Sequence, residues 1–356
     1  MAHNLAQARA RAGARGIWAV VKANAYGHGI ENAVRAFAEA DGLALLETDE
    51  AARARAAGWR KPILLLEGVF EHRDFALVAE LDCTIVVHGF EQIAMLERLR
   101  PARPVGVYCK FDTGMNRLGF AAADARAAFD RLAALPHVRI DALMTHLANA
   151  DRRDATASVP TVASQRRALR ALIPEWRGAW SVSNSAALFL HAPEGDPTEG
   201  EFVRPGIALY GASPVAGMAA ADLGLRPAMQ LRSRLLAVRD LAPGQPVGYG
   251  SRWMARRPSR IGIVACGYAD GYPRAAPDGT PVWVESAAGG ARVPLIGRVS
   301  MDMIAVDLTD LASAACGDAV ELWGTRIGVD EVAERAGTIG YELLSGLPAR
   351  VRERPR

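Results

Sequence analysis

From residue 17 to residue 210, short apolar runs alternate with stretches whose apolar positions recur every three to four residues. Eight runs read as buried strands: 17–21, 43–46, 63–66, 84–87, 105–109, 140–144, 180–182 and a short one at 202–203. They are nearly continuous in hydrophobicity, as expected of parallel strands covered on both faces. Helical periodicity fills much of the space between them, at 31–40, 49–57, 90–100, 122–135 and 164–172. Eight successive strand–helix units, with crossovers long enough for parallel neighbours, predict an α/β fold, a (β/α)8 barrel of the TIM type.

Past Gly211 the period changes. Runs at 231–238, 261–265, 282–285, 293–296, 304–308 and 319–323 are separated by Pro and Gly turns, and they predict a mostly antiparallel β domain. Residues 1–213 are therefore read as the barrel, the Ala-, Gly- and Pro-rich stretch 214–227 as a connection, and 228–356 as the C-terminal β domain. A final helical piece is expected at 330–336, ahead of a basic tail.

Composition narrows the class. Half of the 356 residues are hydrophobic and spread along the chain, which excludes disorder. The formal net charge is only +3, with arginines interleaved among acids and alanines, so no nucleic-acid partner is expected. No run reaches membrane-spanning length, and the N-terminal residues lack the apolar core of a leader. Four cysteines, Cys83, Cys109, Cys266 and Cys316, form no CxxC pair, which fits a reducing compartment without a structural metal. A cytoplasmic protein is the expectation.

One number changes the picture. Of 42 basic residues only Lys22, Lys61 and Lys110 are lysines. Where charge alone is needed this chain uses arginine, so Lys22 at the end of the first strand suggests a task for an amine. A deprotonated amine can attack a carbonyl and form a Schiff base; a guanidinium cannot. Barrel active sites collect at the carboxyl ends of the strands, and phosphate commonly sits on the loops after strands seven and eight. Those places hold Lys22, the segment Asp112–Arg117, Thr145-His146, Ser183-Asn184-Ser185 and Arg204-Pro205-Gly206-Ile207. Singly, each has an ordinary reading as a cap, a surface ion pair or a strand-end side chain. Together, a lysine amine, an anion cradle and an arginine suggest pyridoxal phosphate.

The motifs Lys22-Ala23-Asn24-Ala25-Tyr26-Gly27-His28-Gly29, Asp112-Thr113-Gly114-Met115-Asn116-Arg117, Asn184-Ser185-Ala186, Arg204-Pro205-Gly206-Ile207, Gly267-Tyr268-Ala269-Asp270-Gly271 and Gly297-Arg298-Val299-Ser300-Met301-Asp302 occur in this order. In them the chain resembles the bacterial alanine racemases. The resemblance implies interconversion of L- and D-alanine by a two-base mechanism on pyridoxal 5'-phosphate, in a homodimer with shared sites, for peptidoglycan or for alanine catabolism. It implies that Lys22 holds the cofactor and is one base, and that Tyr268 of the other subunit is the opposite base, hydrogen-bonded to His146. Arg204 would face the pyridine nitrogen. Tyr26, Ser185 and the backbone of Gly206 and Ile207 would hold the phosphate; Arg117 and the backbone of Met301 would take the substrate carboxylate. Lys110 stands where many relatives carry a carbamylated lysine.

Two departures accompany the resemblance. Relatives usually have a further strand before the segment corresponding to His3-Asn4-Leu5, so either the chain begins late or the edge of the β domain is finished differently. Near the C-terminus, Ala349 precedes Arg350-Val351 where relatives often have a Tyr, which implies weaker cofactor retention. Rival readings are a pyridoxal-phosphate carrier, a decarboxylase of the same two-domain plan and a broad-specificity racemase. The β domain, Arg204 with Tyr268, and the absence of a leader with paired cysteines respectively weigh against them.

Overall fold

The computed structural model describes residues 1–152, 159–191 and 200–351. They form two compact units, Met1–Leu225 and Arg226–Arg356.

In the first unit eight parallel strands close into a barrel in chain order: β1 (Gly16–Val20), β2 (Gly42–Leu45), β3 (Ile63–Leu65), β4 (Cys83–Val87), β5 (Val105–Lys110), β6 (Val138–Met144), β7 (Ala179–Asn184) and β8 (Glu201–Arg204). Closure is the pairing of β1 with β8, Gly16 opposite Phe202 and Ile17 opposite Val203. Each strand matches an apolar run of the sequence to within two residues, because burial on both faces leaves no alternation to misread. Inside the barrel Trp18 Nε1 donates to Tyr108 Oη at 3.1 Å, and both rings contact Phe202. Glycines make room for these rings: a Cβ at Gly42 would lie 2.1 Å from Trp18, and one at Gly16 would lie 2.3 Å from Phe202.

Nearer the amino end of the strands sits a buried ion cluster. Glu201 accepts from Arg15 at 2.9 Å and from Ser183 at 3.0 Å, and Arg166 lies 3.6 Å away. Charges this deep are tolerated because each finds a partner; removing one would strand the others.

The outer layer comprises α1 (Ala2–Ala12), the turn α2 (Lys22–Gly27), α3 (Ile30–Ala36), α4 (Thr48–Ala56), α5 (Asp74–Glu80), α6 (Phe90–Arg98), α7 (Ala125–Ala133), α8 (Val162–Leu172) and α9 (Ser185–Leu190). Helix α1 was not foreseen, since its buried face is mostly small: Leu5, Ala8 and Ala12, with Asn4 donating to Leu209 O. The segment read as a connection is in part barrel packing. Val215, Leu223 and Leu225 are buried with Ala208.

The second unit is built from β9 (Leu231–Leu241), β10 (Pro246–Val247), β11 (Trp253–Met254), β12 (Ser259–Val264), β13 (Pro281–Val284), β14 (Ala291–Ile296), β15 (Ile304–Asp307) and β16 (Ala319–Trp323), then α10 (Val329–Arg335) and α11 (Gly340–Ser345). Six strands close into an antiparallel barrel in the order β12-β15-β14-β13-β16-β9. Strand β9 pairs with both β12 and β16, which closes this barrel. Strands β10 and β11 form a separate two-stranded hairpin. Among the described residues no helix is long and apolar enough to cross a membrane.

Candidate active site

Strand β1 delivers Lys22 to the carboxyl rim of the barrel. Val20 N–H donates to Pro205 O and Val21 N–H to Ala44 O, fixing the strand end against its neighbours on both sides. The chain then makes a turn of the opposite hand: Ala23, Asn24, Ala25 and Tyr26 have φ between 51° and 55°. For L-residues other than glycine this costs about 1–2 kcal/mol each. The surroundings hold it. Tyr26 stacks on Tyr210 with ring centroids 4.7 Å apart, and the His28 ring lies 4.7 Å from the same tyrosine. Tyr210 Oη donates to Val20 O at 2.9 Å, so the ring supporting the turn is anchored to the strand that precedes it. His28 Nδ1 meets Tyr26 O at 2.8 Å, and burial pushes the His28 pKa down to about 4, which keeps the ring neutral.

Around Lys22 the structure gathers cations. Burial, then the nearby Arg117, lowers the Lys22 pKa, while Glu67 opposes them. Lys110, the last residue of β5, is buried; desolvation, then Arg204 and Arg117, bring it down to about 8. Arg204, the last residue of β8, is itself desolvated, with its pKa down to about 10. Its Nη1 donates to Ser181 Oγ at 2.6 Å, and its Nη2 to Thr145 O at 2.8 Å and Val182 O at 3.2 Å. Nη2 also lies 3.3 Å from His146 Nδ1.

A guanidinium can only donate, so His146 Nδ1 accepts and the ring proton resides on Nε2. Desolvation, then Arg204, Arg117, Lys110 and Lys22, holds the His146 pKa well below its usual value. The ring is neutral and offers one N–H. The loop bearing Arg117 is shaped by Asp112 Oδ1, which accepts the N–H groups of Gly114, Met115 and Asn116 at 2.8–3.1 Å. Arg117 itself is exposed.

An anion cradle closes the other side of this rim. Gly206 N–H donates to Ser185 Oγ at 2.7 Å. A Cβ at Gly206 would lie 2.5 Å from Tyr26 Oη, so the backbone must come bare to that point. The N–H groups of Ile207 and Ala208 open a 3₁₀ turn, Ile207–Tyr210, and have no acceptor within it. Hydroxyls from two elements and backbone N–H groups from a third thus converge beside a cluster of positive charge. The donor set fits a phosphate, and the Lys22 amine, its pKa lowered by burial, fits a carbonyl, so pyridoxal phosphate is matched by both.

In the second unit Tyr268 and Met301 are joined through backbone. Tyr268 N–H donates to Ser300 O at 3.0 Å and Ala269 N–H to Met301 O at 2.9 Å. Gly267 is required there, since a Cβ would fall 2.3 Å from Ser300 O. Both side chains are exposed, Tyr268 by 39% and Met301 by 53%. The same unit holds a more exposed tyrosine. Tyr249, 73% exposed, lies in the connection between β10 and β11, flanked by Gly248 and Gly250 at φ 73° and 69°. Cβ positions at these glycines would lie 3.7 Å from Arg298 N and 3.8 Å from Arg298 Nε, on the segment that leads to Met301.

Family models for the alanine racemase N-terminal domain and C-terminal domain match residues 1–214 and 228–355. The chain belongs to the alanine racemase family. It is 49% identical to an alanine racemase of Janthinobacterium sp. (strain Marseille), over 98% of this chain and 94% of that protein. It superposes on the crystal structure of a biosynthetic alanine racemase from Pseudomonas aeruginosa with a TM-score of 0.91, at 47% identity, covering 99% of this chain and 95% of that one. An alanine racemase from Bartonella henselae with covalently bound pyridoxal phosphate superposes with a TM-score of 0.83, at 28% identity, covering 98% and 95%.

Of the residues singled out by sequence, Lys22, Tyr26, Lys110, Arg117, His146, Ser185, Arg204, Gly206 and Ile207 all lie on one rim of the alanine racemase barrel. Tyr268 and Met301 share a rim of the β unit. Tyr249 went unread because its hairpin strands are two residues each, although Gly-Tyr-Gly was a visible turn signal.

Proposed function

We propose that this chain interconverts L- and D-alanine with pyridoxal phosphate held on Lys22, and that it works as a homodimer in which each β unit completes the partner's site. The observation that carries this reading is the convergence, on one barrel rim, of a lysine with a lowered pKa, a phosphate cradle and a buried arginine. When bound, the cofactor supplies an electron-withdrawing ring that stabilises negative charge at the substrate Cα.

The remaining work falls to the chain's own side chains. Lys22 takes or returns the Cα proton on one face. Arg204 would offer an N–H donor toward the cofactor's ring nitrogen, and a guanidinium hardly gives up its proton, so it would hold that nitrogen without protonating it. Tyr26, Ser185, Gly206 and Ile207 hold the phosphate, while Arg117 and the Met301 backbone orient the carboxylate. The opposite face is served by a tyrosine of the partner's β unit, steadied by the Nε2–H of His146. Resemblance names Tyr268. Exposure favours Tyr249, since a side chain lent to another subunit must stand clear of its own.

The deciding assay incubates the protein with L-alanine, L-serine and L-lysine and separates enantiomers on a chiral column. D-Alanine is expected to rise to near parity with L-alanine. Conversion of lysine alone, or loss of carboxylate without inversion, would replace the reading by a broad racemase or a decarboxylase.

We further propose that Lys110 is carbamylated. Its amine is buried, its pKa of about 8 leaves more of it neutral near pH 7 than an ordinary lysine, and a carbamate would put negative charge close to Arg204 and Arg117. Carbon-13 bicarbonate is expected to give a carbamate resonance in the native protein that Lys110→Ala lacks. Its absence from the parent would leave Lys110 a plain amine.

A further inference from the structure

We infer that Glu50 is a positioning residue for Lys22: its carboxylate holds the left-handed turn that follows the lysine. The inference rests on the reading of Lys22 as the cofactor lysine. Asn24 N–H, the second after Lys22, donates to Glu50 Oε1 at 2.5 Å. The turn's own acceptors do not reach it. Ala25 N–H goes back to Val21 O, and the later N–H groups of His28 and Gly29 bond to Ala25 O and Asn24 O. Glu50 comes from the first turn of α4, so the bond ties the mirror-handed turn to the helix after β2.

The carboxylate is not placed there for its own comfort. Among the described residues Glu50 Oε2 is buried without a hydrogen-bond partner, and burial raises the carboxyl pKa against the pull of the Asn24 N–H. A solvated acid in a helix first turn would be cheaper and would serve the helix equally well. What this geometry adds is an anionic acceptor at the start of four consecutive left-handed L-residues. The turn is then gripped from two sides, by Glu50 at Asn24 and by the Tyr210 ring at Tyr26 and His28. Tyr26 also carries the hydroxyl beside Gly206. If the turn relaxed toward the right-handed region, the lysine and the phosphate hydroxyl would swing together.

A glycine rescue tests this. Glycine adopts positive φ without penalty, so Ala23→Gly with Ala25→Gly should make the turn independent of its clamp. Cofactor-stripped protein is mixed with pyridoxal phosphate, and capture is followed by absorbance. Glu50→Ala is expected to slow capture about tenfold in the parent and less than about twofold in the glycine background. Glu50→Gln, which keeps an acceptor oxygen, should stay within about twofold of the parent.

Equal slowing by Glu50→Ala in both backgrounds, or none in the parent, would overturn the inference, because a role confined to α4 would not respond to glycines in the turn. Capture by Lys22→Ala at the parental rate would instead sink the reading of Lys22. In that case thermal melting of the cofactor-free chain still decides the clamp. A drop of about 4 °C for Glu50→Ala that disappears in the glycine background supports it, and a drop that persists refutes it.

Discussion

Lys22→Ala is expected to lack measurable racemisation and to lose the near-visible absorbance band of a covalently held pyridoxal. Removing the amine takes away the covalent anchor and one proton carrier together, and the second of these alone is worth about 10²–10⁴-fold. No other amine can stand in. Lys61 bonds outward to Ala38 O and Ala40 O, and Lys110, on the same rim, is buried at the end of its own strand beside Arg204. The lowered Lys22 pKa gives the pH dependence a sign. Below the folded pKa the amine is protonated and capture slows; because that pKa lies below the ordinary lysine value, capture persists to lower pH than a solvent lysine would allow. A Lys22→Ala protein that keeps the band and turns over alanine would move the cofactor site elsewhere.

The second large effect separates the two tyrosines. Whichever serves the opposite face, its replacement by Phe should cost about 10²–10⁴-fold in racemisation, and replacement of the other should mainly change KM. Solvent deuterium adds a readout that simple damage would not give. With the opposite base gone, Lys22 still exchanges the Cα proton of one enantiomer, so label should enter one antipode and not the other. A shared site makes a further demand. Mixing Lys22→Ala chains with chains carrying the decisive Tyr→Phe change should restore roughly a quarter of parental activity, since half the dimers are mixed and each of those has one intact site. If Tyr249→Phe and Tyr268→Phe each retain near-parental turnover and symmetric labelling, neither tyrosine is the second base.

The barrel was legible because parallel strands buried on both faces leave continuous apolar runs, and the β unit because Pro and Gly separate its strands. Lys22 was legible through scarcity, as one of three lysines in an arginine-rich chain. Three features stayed hidden for separate physical reasons. Helix α1 buries alanines, which carry little hydrophobic signal. The turn after Lys22 reverses hand at Ala23, Asn24, Ala25 and Tyr26, none of them glycine, because tertiary contacts hold it; the glycines come only after them, at Gly27 and Gly29. Glu50 is an acid in the first turn of a helix, where acids are common, and nothing local links it to residue 24. The candidate residues Lys22, Arg117, His146, Ser185, Arg204, Gly206 and Ile207 were readable from their places at strand ends and Tyr26 and Lys110 from the resemblance, whereas Tyr249 needed the hairpin to be seen.

The reversed turn has a consequence for anyone building this protein chemically. At φ near +55° and ψ near +50°, Ala23 and Ala25 hold the backbone shape that D-alanine prefers and L-alanine resists. Chains assembled by ligation with D-alanine at those two positions should carry a more rigid lysine loop than the ribosomal product. The amino acid that this family makes in solution would then fit the family's own main chain better, at two places, than the enantiomer translation supplies.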